Sequence, residues 1–251
     1  LHEDGLRRPC ERRRQLTSPP SSPTRRLEAR KVIAGALLFV AAKRAVFAKA
    51  LALPSACYVV IDIAYLFEPG IASQFLLAAI GIAIQTLFAI TAHRITLLGE
   101  GHVPTWGLRS WSRRETQFVL YLFTVALCTV PAILLVAIPQ IGIVLAIGLM
   151  IWIASRLSIV FPATALERPL TISEAWRMSA PYQLPLIAVV VVFPLVFSVP
   201  LLLLSTTLLP DYPFLAPVIS LLKIMITVFS VAALSLAYRE IDRFEQQPGL
   251  S

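Results

Sequence analysis

Two ionisable residues stand inside apolar runs of this chain: Asp62 in "CYVVIDIAYLF" and Lys223 in "ISLLKIMITVF". A charged group in hydrocarbon costs about 2.5–3.5 kcal/mol on the mildest scales, so such residues line ion or proton paths or neutralise one another. Asp62 lies five residues before the end of its run, about 8 Å of helical rise, and Lys223 about eight residues into its own, about 12 Å. These matching depths predict an ion pair that ties the first span to the last. Gln85 is the other strong polar group expected at mid-depth, and the lack of further acids there favours a static clasp over an ion- or proton-coupled path. Pro131, Pro194 and Pro200 support the path, since a proline inside a span frees backbone carbonyls, as transporter helices often do.

Little else in the sequence resembles reaction chemistry. The three histidines are His2, His93 and His102; none has a partner one helical turn on, and HExxH, GxSxG and P-loop patterns are missing. His93, beside Arg94, reads as an interfacial anchor. Glu100 and His102 in "LLGEGH" are too few for a metal centre. Cys10, Cys57 and Cys128 are odd in number and far apart, which suits small hydrophobes better than a disulfide or a metal site. The expectation is a protein that is not an enzyme and needs no cofactor or metal.

The elements that must hold these residues follow from composition. With 57% hydrophobic and 14% charged residues and a mean hydropathy of +0.78, the chain lies outside the range of soluble domains. The net charge of +8 is clustered: 12 of the 22 Lys and Arg precede residue 50, and most others fill short gaps between apolar runs. That pattern suits basic loops beside a membrane and argues against a nucleic-acid groove.

Six runs of 18 to 24 residues are long enough to cross a bilayer as helices: 50–67, 71–92, 117–138, 141–160, 184–206 and 215–238. The fold class expected is all-α: a polytopic integral membrane protein with six transmembrane helices. The turns around Pro69 and at Pro139–Gln140 make tight hairpins. With the N-terminus inside, the inner segments carry every Lys and Arg except Lys223, and the outer turns carry none. The positive-inside rule then puts both termini of this multi-pass protein in the cytoplasm.

Residues 1–30 are rich in Arg, Ser and Pro and read as a disordered basic tail; 31–245 form the transmembrane domain and 246–251 a C-terminal tail. The apolar stretch Val32–Ala42 is about 17 Å long as a helix, too short to span, and Lys43, Arg44 and Lys49 close it. It is expected to be an N-terminal helix lying in the interface.

The loop "SRLSIVFPATALERPLTISEAWRMSAPYQLP" follows the fourth span. Arg156 is expected to reach lipid headgroups from the end of that span. Thr171 and Glu174 form a capping-box pattern that starts a short helix through Met178, with Trp176 at the bilayer surface. Pro181 and Pro185 should end it. A basic, aromatic interface is predicted from Arg94, Trp106, Trp111, Arg113, Arg114, Arg156, Trp176, Arg177 and Arg239. Membrane lipids, and a protein partner at these loops, are the partners it suits.

The pattern Arg156-Leu157, Phe161-Pro162, Leu166-Glu167, Glu174-Ala175-Trp176 and Ser179 resembles the membrane-domain family of glycerophosphoryl diester phosphodiesterases and related six-helix bacterial inner-membrane proteins. "AHRITLLGE" at 92–100 and "AALSLAYRE" at 232–240 are similar to further stretches of that family. The resemblance covers about residues 26–245 and implies the six-helix fold. It implies no phosphodiesterase activity, because the catalytic domain of some members is not expected in a chain ending "DRFEQQPGLS". The function expected is that of a non-catalytic membrane scaffold or regulator. The alternative is a small-solute or lipid transporter or channel component.

Overall fold

A computed structural model describes residues 27–246, apart from 68–69, 104–105, 107–109 and 169. Every regular element among the described residues is helical, as a bilayer demands of a chain that must satisfy its backbone internally. The helices are α1 (Ala29–Ala42), α2 (Arg44–Phe67), α3 (Ile71–Leu98), α4 (Arg113–Ile133), α5 (Gly142–Leu157), α6 (Val160–Ala165), α7 (Ile172–Ser179), α8 (Gln183–Ile187), α9 (Phe193–Leu208) and α10 (Ala216–Glu245). Six segments are long and apolar enough to cross a membrane: α2, α3, α4 with its continuation, α5–α6, α7–α9 and α10. The chain is an all-α, polytopic membrane protein.

Span ends differ from the hydropathy reading where no breaker stands. The first span begins at Arg44, because a single turn at Lys43 separates it from α1 and nothing up to Pro54 disfavours helix. The second runs on to Leu98 and stops at Gly99, whose φ of 85° and ψ of 179° suit glycine alone. The third passes Pro131, tightens to a 3-10 turn over Leu134–Ala137 and reverses into α5. This hairpin requires Gly142: a Cβ there would lie 2.1 Å from the Leu135 carbonyl oxygen.

The fifth span is the irregular one. α7 ends at Ser179, just ahead of Pro181, but the path stays helical: Pro181 sits in a 3-10 turn, Ala180–Tyr182, and Pro185 lies inside α8. A π-helical stretch, Ala188–Val192, then precedes Pro194. A proline ring clashes with the carbonyl four residues back, here Val190, and the wider π turn relieves that clash.

The sixth span is the hub. α10 packs against α1, α2, α3 and α9, and its small residues Ala232, Ala233, Ser235 and Ala237 are fully buried, which lets neighbouring backbones approach closely. Most of the core sits at the end of the bundle that carries the cations, called the basic end below. Large side chains such as Leu134, Val144 and Phe75 point outward, as lipid-facing residues do. α6 packs against α3, α4 and α10 and closes the basic end, with Val160, Pro162, Ala163 and Ala165 buried.

α1 packs along α10 at that end. Its buried face, Val32, Ala36 and Val40, lies on α10, and Gly35 meets Leu236. One side borders a crevice with Glu28, Lys31, Arg239 and Glu240, and the other faces an apolar groove with Leu37, Phe197 and Phe229. Polar contacts on one side and hydrocarbon on the other suit an interfacial helix. Leu27, expected in the tail, is buried in the core instead; the expectations for residues 1–26 lie outside the described residues.

Candidate functional site

The charged groups of the bundle form two separate systems. At the far end, Lys223 Nζ on α10 lies 2.9 Å from Asp62 Oδ2 and 3.2 Å from Oδ1 on α2, and the Ser220 hydroxyl donates to the same carboxylate. The side chains are 25% exposed for Asp62 and 38% for Lys223. The pair is therefore partly open to its surroundings rather than sealed in the core.

One helical turn closer to the basic end lies a cavity of about 210 Å³ between α2, α3, α4 and α10. Tyr58, Gln85, Thr86 and Thr227 bring polar groups to it, and Phe88 and Phe118 line it as well. The Thr227 hydroxyl donates to the Lys223 carbonyl at 2.9 Å and that of Thr86 to the Ile82 carbonyl at 2.8 Å.

At the basic end, several predicted interface residues are occupied inside the protein. Arg114, expected at the lipid surface, is 4% exposed and pairs with Glu115, itself 1% exposed, at 2.8 Å. Its other nitrogen donates to Glu167 at 2.8 Å. Arg94 is no free anchor either: it donates to the Ala165 carbonyl at 3.1 Å and pairs with Glu167 at 3.7 Å. Glu167 reaches both arginines from a left-handed backbone, φ 59°, at the end of α6. Glu115 reaches back to the Ser112 N–H at 2.8 Å to cap α4, and that carboxylate and Glu167 draw the arginines inward.

Arg156 differs from expectation in the same way. Its guanidinium carbon lies 5.2 Å from the Trp152 ring centroid and 5.0 Å from that of Trp176. The two rings meet edge to face at 4.8 Å, and Arg156 Nη1 donates to the Trp176 carbonyl at 2.9 Å. Arg156 thus clasps α7 to α5 instead of reaching headgroups, and Trp176 is its half-buried counterpart. The capping box that starts α7 is present, with the Glu174 N–H donating to Thr171 Oγ1 at 3.2 Å and the Thr171 N–H donating back to the Glu174 carboxylate at 2.8 Å.

Trp106, Trp111, Arg113, Arg177 and Arg239 remain exposed. Trp106 and Trp111 show 57% and 48% of their surface, high values for tryptophan. Arg168 meets Asp242 at 2.5 Å, and that carboxylate holds its guanidinium above the ordinary range.

His93 is not an interfacial anchor. It is buried and shares a 2.7 Å hydrogen bond with Ser235, joining α3 to α10. His102 Nδ1 bonds the Leu98 carbonyl at 3.1 Å, while Glu100 pairs with Lys43 at 3.6 Å. Among the described residues, no group of three or more His, Cys, Asp or Glu could hold a metal.

Several of these contacts have short-range signals in the sequence. Ser112-x-x-Glu115 is a capping-box spacing, and Trp152 with Arg156 is an i, i+4 pair on one helix face. Comparisons with protein families, curated proteins and solved structures return no match to this chain.

Proposed function

We propose that this chain is a non-catalytic scaffold or regulator of a bacterial inner membrane, working through its basic, tryptophan-bearing end, with both termini cytoplasmic. The observation that carries the reading is a division of labour among cations at that end. Arg94, Arg114 and Arg156 are held in internal contacts, whereas Arg113, Arg177 and Arg239 stay exposed alongside Trp106 and Trp111. A surface of exposed cations and aromatic rings suits anionic headgroups or an acidic protein surface. The resemblance to the phosphodiesterase membrane-domain family belongs to the same proposal and brings no activity with it.

A photo-crosslinking amino acid placed at Trp106, Arg113 or Arg177 in growing cells tests the reading. A discrete protein or headgroup adduct at these positions, absent when the probe replaces Tyr212, is the expected result. No adduct at any of the three would contradict it. The alternative, a small-solute or lipid transporter or channel component, draws support from the cavity between α2, α3, α4 and α10.

A further inference from the structure

Polar residues recur on one face of each of three helices that meet in the bundle. On α2 they are Tyr58, Asp62 and Tyr65; on α10 they are Ser220, Lys223 and Thr227. Both sets follow the spacing of three to four residues that keeps side chains on one side of a helix. On α3, Gln74 and Gln85 are 11 residues apart, three turns along the same face, with Gly81 between them.

The structure joins these faces. Tyr65 donates to the Gln74 carbonyl at 3.2 Å near the far end. Asp62, Ser220 and Lys223 meet one turn deeper. Tyr58, Gln85 and Thr227 border the cavity of about 210 Å³ beyond them. Gln85 stands 14 residues into α3, about 21 Å from its far end. Among the described residues, the Gln85 amide and the Tyr58 hydroxyl find no hydrogen-bond partner in the chain. Such groups are costly in hydrocarbon, and here they border an open cleft in which Gln85 and Thr227 are exposed and Tyr58 is half-buried.

Past Gln85 the character changes. Phe88 and Phe118 end the cavity, and Phe118 packs on Phe161 of α6 with ring centroids 4.9 Å apart. Ile90 and Ala165 complete that apolar layer.

We propose that the shared face of α2, α3 and α10 is a water-filled half-channel that admits small uncharged hydrogen-bonding solutes. It runs from the far end, past the Asp62–Lys223 pair, to Gln85 and Thr227, and stops at the phenylalanine layer. The cavity carries amide and hydroxyl groups and no charge of its own, while the ion pair at its entrance is already neutralised. A neutral amide or short polyol matches these groups better than an ion does. The proposal stands on other residues than the basic-end surface, so either can fail alone.

The test uses full-length protein in proteoliposomes with Cys10, Cys57 and Cys128 replaced by Ala. Single cysteines replace Thr227, Gln85, the outward-facing Leu203 and the far-end Tyr212. Only a hydrated thiol ionises and reacts, so T227C and Q85C should be alkylated by iodoacetamide at least about tenfold faster than L203C. A bulky, charged maleimide should modify Y212C and spare both. T227C and Q85C as slow as L203C, while Y212C reacts, would overturn the proposal. So would rapid modification of T227C by the bulky reagent, or an intermolecular disulfide through T227C, which would mean that a second copy covers this face. Using two channel positions keeps the test sound if one variant fails to fold.

Discussion

Lys223 Nζ sits 2.9 Å from Asp62 Oδ2, across 161 residues of sequence, and fixes the last span to the first at one depth. Removing one partner leaves the other charge without compensation, and removing both does not. Asp62→Asn should therefore destabilise the protein by about 1–3 kcal/mol, less than a sealed pair because both groups are partly exposed. The double variant D62N/K223M should recover most of that loss. Thermal unfolding in mild detergent reads the difference, and a double variant no better than D62N would show that the pair is not a clasp.

Neighbouring arginines at the start of α4 should respond very differently. Arg114 is enclosed with Glu115, whereas Arg113 is exposed. R114A strands a buried carboxylate and should cost about 3–5 kcal/mol, while R113A should stay within about 0.5 kcal/mol of the parent. Equal effects in the same unfolding experiment would refute the buried assignment.

The Arg156 sandwich gives a prediction about local opening. Arg stacks on aromatic faces through its planar guanidinium, which Lys lacks. R156K should therefore fail to replace it, weakening the contact of α7 with α5 by about 1–2 kcal/mol. Hydrogen exchange of the amides in Ile172–Ser179 should quicken by about tenfold, with little change in α10. Unchanged exchange in R156K would mean that the rings hold α7 without the cation.

Two glycines of the fourth span should have opposite effects. A Cβ at Gly142 meets the Leu135 carbonyl oxygen at 2.1 Å, while one at Gly148 meets nothing within 4 Å. G142A should destabilise the hairpin by about 1–3 kcal/mol, and G148A should stabilise the helix by up to about 1 kcal/mol. Melting temperatures that move the same way for both would contradict the hairpin geometry.

What the sequence disclosed depended on the range of the signal. Span number came from hydropathy, which the bilayer imposes on every turn of a helix. Asp62 and Lys223 could be paired in advance because depth is a coordinate that sequence position supplies directly. The fates of Arg94 and Arg114 could not be read that way. Both also pair with Glu167, a loop carboxylate 53 residues from Arg114 that reaches them from a left-handed backbone. His93 is a similar case, since its partner Ser235 lies 142 residues away. The polar face of α2 and α10 was legible as a periodicity but gained meaning only once the helices were placed side by side.

The central claim is that six spans hold the cation-rich segments on one side of a bilayer, and sided labelling of single cysteines in intact cells tests it most directly. Y212C should react with an impermeant thiol reagent from outside, and R177C and R239C only after the membrane is opened. R177C and Y212C labelling together from the outside would contradict the topology on which both the basic-end surface and the half-channel rest.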